Sequence, residues 1–498
     1  GSIASSDAED ALARLQGNVE GRVLNELLHA RLSCAADFVQ DQKVSRAMGV
    51  YEQLLGESMP VQVQVGALQG FVEIGADGTD ERIVNIIGSR SGRLQMAAIM
   101  LSAKVESEQI VSLLGELMPE TDEQTQITVL AALSKRADIS AMPYVKKAAQ
   151  SDNVSVRVAA LEALKNTGDG SAVEFLAVRA AETTGQEQRA ARESLYAIPG
   201  QDVNSTIIDL VPETPQRVKA ELLTAIGQRY MDNGIELLLK NAASDEAEIA
   251  SASMGGLRRI GNKEQFPQLV DLMLNVESSM QGQVEHTILT VLNRCGGSDI
   301  LTDSALQYLP TEDVDSHALL LNLLGHSGYK KGLDVILEGL ESQENVIKRA
   351  SIDAAGNWPG CEVVEPLLKV VSETDERTHR VVAFRAAVSR ASECGEVADR
   401  QRLQLLGKCI DVAPDANEAR RILPALREIH LVESVKLTSK LLNKPGLEDE
   451  AATTIARISK NLPKGDLQEI EPILQKAHEA TQNAEVRQDI AELINEVQ

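Results

Sequence analysis

Apolar positions recur every three to four residues almost from end to end of the chain, and no stretch alternates cleanly enough for a strand. The clearest unit predicts a helix over Val154–Leu164, a glycine-containing turn over Lys165–Gly170 and a second helix over Ala172–Ala181. It occupies about 31 residues, and it repeats. With Leu164 as anchor, equivalent positions fall at Phe71, Leu101, Leu133, Leu195, Ile226, Leu257, Leu292, Leu324, Gly356 and Ala387. In chain order the spacings are 30, 32, 31, 31, 31, 31, 35, 32, 32 and 31, with looser units at Leu426, Ile458 and Leu493. A period this steady means a stack of similar helix pairs, not a set of globular domains.

Three further columns keep the same register. Ser89, Thr121, Asp152, Thr183, Thr214, Asp245 and Asp375 stand where a side chain can accept hydrogen bonds from the free N–H groups of a starting helix. Gly75, Gly168, Gly261, Gly296, Gly328 and Gly360 follow the anchors by four residues, where a left-handed residue ends a helix. Pro143, Pro267 and Pro366 fall in the first turn of the second helix, where a missing N–H costs little.

On these residues the chain resembles the HEAT-repeat family, in particular the short bacterial units of phycobilisome-lyase type. Val156, Arg157, Ala159, Ala160, Leu161, Ala163, Leu164, Gly168 and Asp169 carry the resemblance, with partial echoes at Arg349–Gly360 and Ala252–Gly261. It covers residues 60–395 well and the rest loosely. It implies an all-α, curved right-handed α-solenoid of about 13 helix pairs, a role in protein binding and no necessary enzyme activity. The basic column that such repeats often pair with a neighbour's acid reads Arg157, Gln188, Lys219, Ala250, Glu285, His317, Arg349 and Arg380, so pairing there is local.

Irregularities suggest the organisation. Residues 1–57 read as an N-terminal capping unit of two helices, with Ala11–Gln16 leading in and a break at Gly17–Gly21. Residues 58–395 form the regular repeats, and 396–498 form less regular ones closed by a helix over Ala484–Val497. The longer spacings around Glu277–Gly282 and across Cys394–Pro414 read as loop insertions, where binding often resides.

Charge and chemistry narrow the function. With 49 Lys+Arg against 74 Asp+Glu the net charge is −25, which repels phosphate backbones and argues against nucleic acid. Aromatics make up 2% of the chain, too few for sugar platforms, flavin pockets or base stacking. No run approaches ~18 uncharged apolar residues, so no membrane span is expected. The chain begins Gly1-Ser2-Ile3, which reads as a tag-cleavage scar and tilts the expectation toward a periplasmic or secreted protein over a cytoplasmic one. The five cysteines (Cys34, Cys295, Cys361, Cys394 and Cys409) exclude neither compartment; Cys361 and Cys394 pair only if their turns lean together.

The seven histidines (His29, His286, His317, His326, His379, His430 and His478) never stand one helical turn apart as in zinc hydrolases. His286 and His317, beside Glu285, come from adjacent repeats and read as surface histidines. Gly325–Gly328 has the outline of a nucleophile elbow, but it lacks the second glycine spacing and a preceding strand. No catalytic residue, cofactor or metal is therefore expected.

What remains is surface. Positions ten and fourteen after each anchor share one face of the second helix. They carry Glu174, Asp209, Glu236, Asp271, Asp334 and Glu338 against Lys147 and Lys240. The resemblance places second helices along the groove of such a stack, which would make it an acidic trough for a basic or extended polypeptide. One segment reverses the sign: residues 377–427 hold ten Lys+Arg against six Asp+Glu, a candidate acid-binding patch.

The expected function is a non-enzymatic protein-protein interaction scaffold. Two other classes compete: the helical module of a larger, trimmed enzyme, and a catalytic solenoid related to chromophore lyases or base-excision glycosylases. The second lacks an aromatic pocket and a basic groove. At about 10 Å per stacked pair, thirteen pairs make a contour on the order of 130 Å. Small-angle scattering should therefore give a radius of gyration well above the roughly 23 Å of a compact chain of this length. A compact value contradicts the repeat reading.

Overall fold

The computed structural model describes residues 6–89, 92–107, 109–309, 311–393 and 397–497, with the side chains of Ser89 and Gln201 outside the description. Every regular element among these residues is helical. The repeat around Leu164 shows why. In helix Val154–Thr167 the buried side chains are Val156, Ala160, Leu161, Ala163, Leu164 and Thr167, a single stripe at helical spacing. Asn153 caps its start by accepting from the Val156 N–H at 3.2 Å. After Gly168, Asp169 accepts from the Ser171 N–H at 2.8 Å and opens a short 3₁₀ turn into helix Val173–Glu182.

Neighbouring repeats complete one another's cores. The first helices Glu123–Arg136, Val154–Thr167 and Gly185–Ala197 pack side by side, while the second helix Val173–Glu182 packs on the next first helix. The contact can be very close: a Cβ on Gly227, in helix Gln216–Gln228, would sit 2.6 Å from the Gly256 Cα of helix Ala247–Ile260. Arginine near the end of a first helix ties repeats together. Arg136 donates to Ser102 O at 2.7 Å and Val105 O at 2.6 Å, and Arg229 to Leu195 O at 3.1 Å and Ile198 O at 2.9 Å. Arg390 reaches Trp358 O at 3.1 Å and Arg294 reaches Gly261 O. Each cation thus lands on the negative end of the preceding repeat's first helix. The column escapes a search for caps, because its partners are main-chain atoms one repeat away.

The chain divides into two compact units, Gly1–Ile260 and Gly261–Gln498. The first begins with helices Ser6–Leu15, Gly21–Gln40 and Val44–Leu54, so the expected lead-in is itself a helix. Arg31 holds it down. Its guanidinium, 2% exposed, donates to Glu9 Oε1 at 2.8 Å, to Gln53 Oε1 at 2.5 Å and to Gln16. The second unit continues the pairs and ends in helix Ala484–Val497, at the expected bounds. Its irregular stretch has a local cause. Pro424 cannot donate a backbone N–H, and the first helix there breaks into Ala416–Ala419, a 3₁₀ turn and Leu423–Arg427.

Three expectations need correction. The capping side chains stand one residue later than the expected column, at Asp122 and Asn153. Thr121, Thr183 and Thr214 instead donate backward, to Met118 O at 3.0 Å, Arg179 O at 2.6 Å and Val211 O at 3.5 Å. They satisfy the end of the previous helix, where free carbonyls are nearer than free N–H groups. Asp152, Asp245 and Asp375 make no such cap among the described residues.

Second, only Gly75, Gly296 and Gly328 of the six glycines are left-handed, at φ 64°, 68° and 61°. Gly168 has an ordinary φ of −92° and is required by crowding, since a Cβ would lie 2.5 Å from Ile198 Cδ1. Third, the insertions do not form loops. The extra residues near Glu277 lengthen a helix, Ser278–Cys295, to 18 residues, and much of the second insertion is helix Asp399–Val412. Apolar spacing continues through them, so extending a helix satisfies the backbone more cheaply than a loop does. Cys361 is disulfide-bonded, whereas Cys34, Cys295 and Cys409 are free thiols; Cys394 lies outside the described residues.

Replacing Arg31→Met should lower the stability of the first unit by about 3–5 kcal/mol, because Glu9 is left buried without its cation. Urea denaturation followed by circular dichroism measures it, and Glu9→Gln combined with Arg31→Met should recover part of the loss.

Candidate partner-binding surface

The second helix of each pair buries one face on its neighbours and leaves the other to solvent. In helix Val173–Glu182 the buried residues Val173, Leu176, Ala177 and Ala180 leave Glu174 outward. The same pattern exposes Asp209 on helix Gln201–Leu210 and Glu236 on helix Ile235–Ala242 in the first unit. In the second unit it exposes Asp271 on helix Phe266–Asn275, and Asp334 with Glu338 one turn apart on helix Leu333–Leu340. Lys147 and Lys240 are exposed in the first unit as well.

The register is not uniform. In helix Ser298–Gln307 the corresponding position, Thr302, is fully buried, and Asp303 and Gln307 point outward instead. The preceding turn differs: Gly296 and Gly297 lead straight into this helix, without the 3₁₀ turn Lys263–Gln265 that precedes helix Phe266–Asn275.

Pairing separates the acids into two groups. None of the six acids named above enters an ion pair among the described residues; Asp271 accepts a hydrogen bond from Tyr308 Oη at 2.9 Å. Other outward acids of the second unit are neutralised across repeats. Asp303 pairs with Lys331 at 2.9 Å, Glu341 with Lys369 at 2.8 Å, Asp411 with Lys440 at 2.9 Å, and Glu365 with Lys408.

The basic segment 377–427 is largely occupied. Arg385 and Arg421 converge on the buried Glu418 at 2.5 and 3.0 Å. Arg380 donates to Thr374 O at 2.6 Å, Arg402 to Ser392 O at 2.6 Å, and Arg420 pairs with Glu450 at 3.1 Å. With Arg390, Arg400 and Lys408 also engaged, eight of the ten cations have intrachain partners. Most of this segment's positive charge therefore ties helices together.

A similar buried carboxylate sits in the first unit. Glu187 accepts from Arg157 at 3.0 Å and from Arg179, linking two successive repeats. Burial pushes its carboxyl upward, but the arginine hydrogen bonds outweigh this and hold it below the ordinary glutamate range. At Glu418 the hydrogen bond from Arg385 is the largest influence, and its carboxyl too is held low. Arg157 also donates to Ser151 O at 2.9 Å, as Arg380 does six residues back, whereas Arg349 pairs with Asp353 on its own helix at 2.8 Å.

Of the two histidines read as surface residues, His286 is exposed and His317 half-buried. Burial lowers the His317 imidazole against an opposing pull from Glu338, and burial lowers His326 against Glu285. His326 Nε2 lies 3.2 Å from Asn357 Nδ2. Among the described residues no three His, Cys, Asp or Glu side chains converge as metal ligands, and no helix is long and apolar enough to cross a membrane. Gly325–Ser327 ends helix Val314–Ser327, and Gly328 closes it.

The family comparison completes this description. Residues 110–196 match the family model described as HEAT repeats. That segment carries HEAT repeats. No curated protein matches it at a significant level. Among solved structures it is similar to the karyopherin Kap121p bound to the extreme C-terminus of the protein phosphatase Cdc14p. Identity there is 10% and the TM-score 0.44, covering 98% of this chain and 71% of that one. Importin beta aligns at 12% identity and a TM-score of 0.33, covering 98% and 79%. The YibA protein of E. coli aligns at 15% and 0.28, covering 57% and 97%. The HEAT assignment rests on the family match and on the side-by-side packing of first helices, not on these overlays.

The buried carboxylates of Glu187 and Glu418 generate a pH dependence. A depressed folded pKa means that the unfolded chain binds more protons at mildly acid pH, so stability rises with pH there. The contribution of Glu187 and Glu418 should be complete above the unfolded glutamate value of about 4.3 and should vanish as pH falls through their folded values. Melting temperatures from pH 7 to 3 should fall less steeply on the acid side for Glu187→Gln and Glu418→Gln than for the unaltered chain.

Proposed function

We propose that this HEAT-repeat chain is a non-enzymatic protein-binding scaffold whose exposed second-helix carboxylates receive a basic, extended segment of a polypeptide partner. The observation that carries the reading is the contrast in pairing. Glu174, Asp209 and Glu236 in one unit, and Asp271, Asp334 and Glu338 in the other, are exposed acids outside any ion pair among the described residues. Acids at comparable places farther along are neutralised by lysines. Such carboxylates have no intrachain cation to give up when a partner's cation arrives, and they draw basic segments in at ionic-strength-dependent rates. Catalysis, a cofactor and nucleic acid form no part of this reading.

Two variants test it unit by unit: Glu174→Lys, Asp209→Lys, Glu236→Lys together, and Asp271→Lys, Asp334→Lys, Glu338→Lys together. Fluorescence anisotropy with a labelled Lys/Arg-rich peptide should show at least a tenfold loss of affinity in one or both. Folding should change little, since each surface substitution usually costs within about 0.5 kcal/mol. Binding should also weaken with salt, as the Debye length shrinks from about 10 Å at 0.1 M to 3 Å at 1 M. An affinity indifferent to salt and to both reversals would rule the carboxylates out.

A further inference from the structure

The second unit contains a groove whose lining carries four cations and two acids. It lies between helices Asp399–Val412 and Val432–Ser439 and encloses about 580 Å³. Leu403, Gly407 and Leu437 supply its apolar lining. Leu437 packs over Gly407, where a Cβ would stand 3.2 Å from Leu437 Cδ2. Arg400, Lys408, Lys436 and Lys440 line the groove against only Asp411 and Glu433. An adjoining groove at Glu365, Lys369, Lys408 and Asp411 is balanced, and two others are acidic. One, bounded by Leu337 and Asp375, carries four acids against two lysines, and the other, at Gly360, carries Glu362, Glu365 and Glu393.

These four cations differ from the structural arginines of the same region. Arg385 and Arg421 are held by a buried carboxylate, and Arg390 and Arg402 reach main-chain carbonyls. The groove cations end in exposed carboxylates: Arg400 with Glu433 at 3.4 Å, Lys440 with Asp411 at 2.9 Å, Lys436 with Glu469 and Lys408 with Glu365. The Arg400 side chain is 78% exposed and the three lysines about half exposed. Exposed pairs of this kind contribute little to stability, so they can be exchanged for a ligand's carboxylates at small cost.

We infer that this groove is a second docking site, for an acidic polypeptide segment that carries a large apolar side chain. The apolar side chain enters between Leu403 and Leu437 over Gly407, and flanking carboxylates take the ammonium and guanidinium groups at the rim. The lining from Arg400 to Asp411 spans about 16 Å of helix, the length of some five extended residues. This site is separate from the carboxylate faces of the proposed function and takes a segment of opposite charge.

The test uses the full chain and three labelled pentapeptides in fluorescence anisotropy: Asp-Glu-Leu-Asp-Glu, the same peptide with Ser at its centre, and Lys-Lys-Leu-Lys-Lys. The acidic leucine peptide should bind at low salt, at least fivefold tighter than the serine peptide. The double variant Lys408→Glu, Lys436→Glu should weaken it at least tenfold, and Arg400→Gln, which alters one highly exposed side chain, should weaken it by a smaller factor. Thermal melts of both variants should match the unaltered chain. The Glu174→Lys, Asp209→Lys, Glu236→Lys variant should leave this binding intact, which separates the site from the proposed function. No binding of the acidic peptide, binding that ignores the lysine reversals, equal binding of the serine peptide, or displacement by the basic peptide or a long-chain fatty acid would each overturn the inference.

Discussion

No helix pair of about 31 residues can bury its own apolar faces, so each repeat in this chain depends on contact with the next. That contact is mainly first helix against first helix. It is close enough in places that Gly227 meets the Gly256 backbone with no room for a side chain. The turns then face a polar problem, because the last carbonyls of every first helix lie near a packed interface. Arg136, Arg229, Arg294 and Arg390 meet it by reaching back from the following repeat. The same arginines that satisfy a carbonyl therefore also link neighbouring repeats.

Electrostatics divides along the same line between interface and surface. Carboxylates at repeat junctions, such as Glu187 and Glu418, are buried and shared by two arginines. Their charge is used locally and is invisible to a partner. Other acids stand on outward faces, Glu174 on a second helix and Glu162 and Glu193 on first helices among them, where burial imposes no constraint on side-chain type. There the second unit mixes unpaired acids, lysine-acid pairs and one groove rimmed by cations. Surfaces of opposite local charge can thus coexist on a strongly acidic chain, because each is set by its own few side chains within a Debye length of about 10 Å.

Much of this was legible from the residues alone. Helical class, the 31-residue period, the buried anchors from Leu133 to Leu257, the closing helix and the exposure of the six carboxylates all follow from which positions are apolar. Such features depend on local periodicity, and a repeated pattern states them many times over. The cap column failed because two adjacent polar residues, such as Asp152 and Asn153, cannot be told apart without the backbone path between helices. The insertions failed for a related reason: an added stretch with continuing apolar spacing extends a helix, yet the spacing between anchors reads it as a gap.

Other features belong only to tertiary structure. A basic run at 377–427 looks like one patch in sequence, but Arg385 turns to a buried glutamate 33 residues on while Arg400 stays at a groove rim. The division near Ile260, the crowding that requires Gly168 and the arginine contacts between repeats likewise have no local signature. Periodicity along a chain determines which face of a helix is buried. Which atom a long side chain reaches depends on a neighbour about thirty residues away, and only the packed helices bring that neighbour within hydrogen-bonding distance.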